Sequence, residues 1–222
     1  INRGHSVKDV VDSTKALKDC AFKVLYHVMP GLPGADRKKD IGFVKTLFED
    51  QRFQPDMIKI YPTLVVGGTI LSKMEKEGKY TPYSSEEAAD IISEFYRYIP
   101  KYVRVMRIQR DIPANKIEEG VKKSNLRELV EEQIRKKGIK SNEIRTREVG
   151  LLNKEMKKED FSIKRIDYEA SQGKEVFLSM EDNEDDLAGF IRLRIPSKSP
   201  IREEITSETG LIRELHIYGS EV

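Results

Sequence analysis

The sequence predicts an α/β chain, a run of βα units with parallel strands followed by an antiparallel sheet. Three observations carry this. From Ser6 to Ile108, helical apolar spacing alternates with short apolar runs, the rhythm of strands joined by crossover helices. Beyond about residue 150 the helical spacing gives way to apolar runs separated by short turns, the pattern of a meander. Near the C-terminus, Arg213-Glu214-Leu215-His216-Ile217-Tyr218-Gly219 alternates polar and apolar residues, which makes a strand with two unlike faces.

The elements follow in order. Val7, Val10, Val11, Thr14 and Leu17 mark an amphipathic helix over residues 6 to 18, with Ser6 as N-cap. Phe22 to Met29 reads as a strand, stopped by Pro30-Gly31-Leu32-Pro33-Gly34. Ile41, Val44, Leu47 and Phe48 mark a second helix, and Met57 to Tyr61 a short strand ended by Pro62. Ser84-Ser85-Glu86-Glu87 has capping-box form, and Ala88, Ile91, Ile92, Phe95 and Ile99 make one helical stripe. Tyr102 to Ile108 is the third strand. Three strands do not close a barrel, so further strands are expected before Ile1. Asn125-Leu126-Arg127-Glu128 reads as a second capping box. Leu126, Leu129, Val130 and Ile134 line its helix, and Gly138 ends it, with Arg135, Lys136 and Lys137 suited to the last turn. Phe161 to Tyr168, Lys174 to Met180, Leu187 to Ile195 and Leu211 to Tyr218 are the strands of the meander. The expected domain boundary lies near residues 148 to 160, in the charged stretch Asn153-Lys154-Glu155-Met156-Lys157-Lys158.

Composition excludes several classes. No run of eighteen apolar residues exists, so no membrane span is expected, and Ile1-Asn2-Arg3-Gly4-His5 lacks a signal-peptide pattern. The one cysteine, Cys20, rules out an intrachain disulfide and suits a reducing compartment. It also cannot supply the three or four thiolates of a conventional iron–sulfur cluster. His5, His27 and His216 lie too far apart in sequence for zinc-like spacing. The net charge of +2 says nothing about nucleic acid, so the distribution of charge must.

Several residues could carry function. The Pro30 to Gly34 loop sits at the C-terminal end of a parallel strand, where barrel enzymes place their sites; a rigid turn explains it slightly better. Arg104, Arg107 and Arg110 precede a span rich in Lys and Arg that can neutralise phosphates, although interleaved glutamates also describe a solvated surface. Arg145 and Arg147, two apart on an expected extended segment, point the same way. The acidic run 181 to 186 reads as an exposed hairpin tip facing away from any RNA. In the last strand, Glu214 or His216 could act as a general base. The favoured reading is that the strand's backbone groups bind an amide-bearing arm, as they would another strand.

Taken together, several segments resemble one family. Arg3-Gly4-His5-Ser6-Val7 with His27-Val28-Met29-Pro30-Gly31-Leu32-Pro33-Gly34 resembles the second half of a radical-SAM barrel. Lys59-Ile60-Tyr61-Pro62-Thr63-Leu64-Val65, Gln109-Arg110-Asp111-Ile112-Pro113, Asn125 to Glu128, Arg145-Thr146-Arg147-Glu148-Val149-Gly150 and Arg213 to Gly219 are similar to the catalytic subunit of Elongator, in family order. The resemblance implies a partial radical-SAM barrel (residues 1–120), a helical, basic connector (121–150) and the antiparallel N-terminal sheet of a GNAT-type acetyltransferase domain (151–222). It implies an enzyme that uses acetyl-CoA and a radical derived from S-adenosyl-L-methionine at a 4Fe-4S cluster to carboxymethylate C5 of the wobble uridine of tRNA. Glu214, Leu215, His216 and Ile217 match the strand that contacts acetyl-CoA, and Arg110, Arg127, Arg145 and Arg147 are the expected RNA contacts. The expected partners are a tRNA anticodon stem-loop and either a second copy or further Elongator-type subunits, in the cytoplasm. The family's cysteine triad and pyrophosphate loop are not in this sequence, so an inactive internal fragment lacking both ends, with no metal of its own, is expected. Two alternatives are a non-catalytic scaffold presenting open strand edges to partners, and a different radical-SAM enzyme, which leaves residues 151–222 unexplained.

Overall fold

The structure, a computed structural model, describes residues 4–109, 112–152, 157–199, 201–206 and 208–218. Helix α1 (Val7–Asp19) starts in a full capping box, in which the Ser6 hydroxyl accepts from the Asp9 N–H and the Asp9 carboxylate accepts from the Ser6 N–H. Its packed face differs from the expected stripe. Thr14 of that stripe is buried, but Val7 is 62% exposed and Leu17 42%, and the charged Lys18 and Asp19 are buried in their place. Apolar spacing located the helix, but the face turned inward is chosen by an ion cluster described below.

Strands β1 (Leu25–Val28) and β2 (Met57–Ile60) are parallel, separated by α2 (Arg37–Glu49). A two-residue strand β3 (Val65–Val66) and a short helix α3 (Ile70–Lys76) follow, then α4 (Ser85–Phe95) and β4 (Arg104–Ile108). The sheet order is β1-β2-β4, all parallel, as the βα rhythm predicts. One face of this sheet presents Val28, Ile58, Ile60, Val105 and Ile108 to a core shared with Val44, Leu47 and Phe48 of α2 and Ala88, Ile91, Ile92 and Phe95 of α4. Strand β5 (Ile117–Glu119) pairs antiparallel with β3. Neither strand was anticipated, since two or three residues are too few to show a period.

Helix α5 (Leu126–Lys136) buries Leu126, Val130 and Ile134 in the same core. Its expected capping box does not form. Asn125 has φ −100° and ψ 32°, outside the extended region a capping residue needs, and its side chain reaches Glu128 instead. Gly138, at φ +60°, ends the helix as expected. Single turns α6 (Ile144–Arg147) and α7 (Val149–Leu152) complete this half. They also close the outer edge of β4. Ile144 N–H donates to the Val103 carbonyl, Val105 N–H donates to the Glu143 carboxylate, and Arg127 donates to the Val105 carbonyl. The open edge at β4 that a scaffold would present to partners is therefore already taken.

Strands β6 (Ser162–Ala170), β7 (Gly173–Glu181), β8 (Leu187–Ile195) and β9 (Leu211–Ile217) form an antiparallel meander in that order. The β6–β7 hairpin turns on Ser171 and Gln172, at φ +50° and +65°, the primed geometry that matches strand twist. One face of the sheet packs on the N-terminal end of the parallel strands. There Lys18, Arg192, Arg194 and Arg213 interleave with Asp19, Asp56, Glu175 and Glu214. Arg194 donates to Asp19 at 2.7 and 2.9 Å and to Glu175 at 2.9 Å. Arg213 donates to Asp56 at 2.5 Å, and Lys18 sits 3.3 Å from the same carboxylate.

The acidic run 181 to 186 is not the free tip that was expected. Glu181 and Asp182 are buried, and Lys101, Lys140 and Arg147 draw the tip onto the parallel half through Glu181 and Asp185. Three cations from the other half pair with two of its five carboxylates, so the run docks and does not project. Among the described residues no helix is long and apolar enough to cross a membrane.

Candidate functional site

Strand β9 lies at the edge of the meander, with β8 as its one neighbour among the described residues. Its four predicted residues divide between two faces. Leu215 pairs with Ile191 and Ile217 with Gly189 on the outward face, where they are 66% and 79% exposed. Glu214 pairs with Arg192 and His216 with Phe190 on the face turned toward the parallel half. The register slips between Arg192 and Leu193, so that Arg213 and Glu214 together oppose Arg192. This is a β-bulge, and it sends two consecutive side chains inward.

The outward face carries an apolar groove of about 410 Å³, lined by Leu178, Met180, Ile191, Leu215 and Ile217 among others. Exposed Ile163 stands at its far side. A groove of this chemistry beside an unpaired strand edge can take an extended chain that has both methylenes and amides. Glu214 is less suited to proton transfer, because its carboxylate accepts from Arg192 at 2.8 Å and from Lys23 at 3.2 Å. His216 is the more available side chain, with its ring 4.4 Å from the Tyr218 ring and stacked over Phe190 at 6.0 Å.

Sequence reasoning missed what anchors the end of this strand. The Tyr218 hydroxyl accepts from Arg104 at 2.8 Å, and Arg104 in turn holds Glu148. Burial raises the Tyr218 phenol to about 12, with Arg104 opposing the shift, so the phenol stays protonated at neutral pH. The end of β9 is thereby tied to the first residue of β4. A Glu and a Tyr 44 and 114 residues from Arg104 leave no local pattern that could have revealed the contact.

The predicted basic residues are not brought together. Arg110 lies outside the described residues, as do Arg3, Asp111, Asn153 to Met156 and Gly219. Arg127 is half-buried, bound to the Val105 carbonyl and near Glu131. Arg145 and Arg147 sit on the helical turn α6, not on an extended segment, and positions two apart on a helix diverge. Arg145 is half-exposed. Arg147 is buried, donating to the carbonyls of Asn142, Asp185 and Lys101 and pairing with Glu181. Its role in this chain is to seat the acidic hairpin.

The Pro30 to Gly34 loop is rigidly held. Gly31, at φ +79°, donates its N–H to Asp40 and accepts from the Tyr80 hydroxyl at 2.6 Å. A Cβ on Gly31 would stand 2.8 Å from the Tyr83 ring, so only glycine fits there. Thr63 donates to the Pro30 carbonyl through both its N–H and its hydroxyl. Burial raises the Asp40 carboxyl above its usual range, while Gly31 and Tyr83 oppose the shift.

The family described as the radical-SAM C-terminal domain matches residues 55–136. The chain is similar to "tRNA uridine(34) acetyltransferase" of Methanocaldococcus jannaschii, at 51% identity over 99% of this chain and 41% of the relative. The protein of the same description in Dehalococcoides mccartyi is 45% identical over 100% of this chain and 49% of its own length. "Elongator complex protein 3" of Homo sapiens is 41% identical over 100% of this chain and 41% of its own length. A solved structure titled as the archaeal Methanocaldococcus infernus Elp3 with an N-terminal deletion superposes with a TM-score of 0.94 at 48% identity, covering 99% of this chain and 53% of that one. The chain thus spans between two-fifths and about half of the length of these relatives. Similar along its whole length to each of them, the chain belongs to the family of the tRNA uridine(34) acetyltransferases and Elongator complex protein 3.

Proposed function

We propose that this chain is part of an enzyme that carboxymethylates C5 of the wobble uridine of tRNA, using acetyl-CoA and a radical derived from S-adenosyl-L-methionine. The observation that carries this is the 45–51% identity, across nearly the whole chain, to proteins named for tRNA uridine 34. In this reading residues 1–120 are the later part of a radical-SAM barrel, 121–150 a connector, and 151–222 the first sheet of a GNAT-type domain. Its setting is the cytoplasm, with a tRNA anticodon stem-loop as substrate and a second copy or Elongator-type subunits as partners.

Acetyl-CoA supplies an acetyl group as a thioester. The free edge of β9 and the groove beneath it fit the pantetheine arm, with Leu215 and Ile217 as apolar floor and the strand's own N–H and C=O groups facing the arm's amides. Glu214 fixes the strand through Arg192, and His216 is the side chain left to hold a proton near the thioester. The residues present do not fit a 4Fe-4S cluster, since Cys20 is the one thiol, so the chain alone is expected to be inactive toward S-adenosyl-L-methionine. For RNA, Arg110, Arg127 and Arg145 remain proposed contacts, while buried Arg147 holds the acidic hairpin beside α6.

The test is made on the intact protein. Ile217→Asp places a charge on the groove floor at a position that is 79% exposed in this chain, and circular dichroism checks that the variant folds. Acetyl-CoA affinity is expected to fall roughly tenfold or more, with tRNA affinity unchanged. An unchanged acetyl-CoA affinity would remove β9 from the thioester site.

A further inference from the structure

The face of the parallel sheet opposite the core carries an unassigned row of basic residues. Strand registers place His27 beside Lys59 and Lys59 beside Arg107, on three neighbouring strands. In-register neighbours project to the same side of a sheet, and adjacent strands stand about 4.8 Å apart. The three Cα atoms therefore span roughly 10 Å, with Lys59 in the middle. The residues that follow, Val28, Ile60 and Ile108, are buried in the core on the other side. The row itself stays accessible, with His27 and Arg107 exposed and Lys59 half-buried. The His27 ring stands edge-on to Tyr61, with centroids 5.1 Å apart, which fixes its direction. Lys59 makes no ion pair with any described residue. The row lies one residue before the C-terminal ends of β1, β2 and β4, where parallel sheets open to their substrates.

We propose that His27, Lys59 and Arg107 bind a phosphodiester of the RNA substrate at the mouth of the parallel sheet. This rests on the proposed tRNA reading. A central ammonium and a flanking guanidinium reach one phosphate from two sides, and the imidazole N–H adds a donor. The centre of the row differs from two of the predicted basic residues. Arg127 and Arg147 are bound to backbone carbonyls, whereas Lys59 makes no ion pair among the described residues.

The experiment measures binding of an anticodon stem-loop transcript to the intact protein across a series of salt concentrations. Lys59→Gln and Arg107→Gln are compared with the unaltered protein and with Lys45→Gln, on the helix covering the opposite face. Each row variant is expected to bind several-fold more weakly and to reduce the slope of log affinity against log salt by about one, with Lys45→Gln changing neither. Circular dichroism of each variant checks that the fold is kept. Affinity for S-adenosyl-L-methionine is measured in parallel and is expected to stay constant. Loss of that affinity with an unchanged RNA salt slope would assign the row to a carboxylate and overturn the proposal. Unchanged slopes in both row variants, with RNA bound normally by the unaltered protein, would overturn the row alone. No RNA binding by the unaltered protein at low salt would overturn the functional reading and the row with it.

Discussion

Asp56 is the residue on which the two halves converge. It accepts from the Val24 N–H, Arg213 and Lys18, and is fully buried. Burial alone would raise its carboxyl, but the charges of Lys18, Arg213 and Arg192 outweigh that and hold it at about 2, below the ordinary 3.8. A carboxyl depressed by folding contributes stability that is complete above the ordinary value and is lost as pH falls through the folded value. The urea midpoint is therefore expected to drop between about pH 4 and pH 2. Asp56→Asn should lose about 3–5 kcal/mol at neutral pH and show a shallower decline in that window. A variant as acid-sensitive as the parent would show that other carboxylates set the limit. None of this was legible in the sequence, where Asp56 stands among Gln54, Pro55 and Met57 with no partner within helical or strand reach.

Among the elements, two helices that look alike in sequence start in different ways. Ser84 and Glu87 cap α4 reciprocally, whereas Asn125 leaves the first N–H of α5 to the Gln109 side chain at 3.4 Å. Ser84→Ala should cost about 1 kcal/mol, while Asn125→Ala should change stability by a few tenths at most, both read from denaturant midpoints. Equal losses would contradict the difference in backbone angles at the two caps. Capping residues are readable from sequence only as an opportunity, because the backbone must also arrive extended, and the path between β5 and α5 delivers Asn125 otherwise. The long strands were legible for the opposite reason. The nine residues of β8, Leu187 to Ile195, make one long run between the acidic turn before it and Pro196 after it, which fixes both ends. The faces of β9 were legible too, yet which face meets the other half depended on the bulge at Arg213.

At the scale of the molecule, a buried ionic seam joins a parallel sheet to an antiparallel one. Arg194 binds Asp19 of α1, Glu175 of β7 and the carbonyls of Ala170 and Ser171, with its side chain fully buried. Arg194→Met should remove one cation shared by two buried carboxylates and lower unfolding free energy by about 3–5 kcal/mol, measured by urea unfolding followed by circular dichroism. A loss under about 1 kcal/mol would mean that the halves are held by apolar packing alone. The sequence announced two kinds of sheet but not their union, because the buried charges that unite them lie up to 175 residues apart and read locally as surface. The bulge in β9 adds one further consequence. Ile212 opposite Leu193 and Glu214 opposite Arg192 are already a consecutive pair on the partner strand, so Arg213 is supernumerary to the ladder. The strand therefore carries its latch as an insertion. Shortening it by that one residue would keep Ile212, Leu215 and Ile217 in step on the groove side while uncoupling β9 from Asp56, which makes the groove and the fastening of the two halves separable by a single codon.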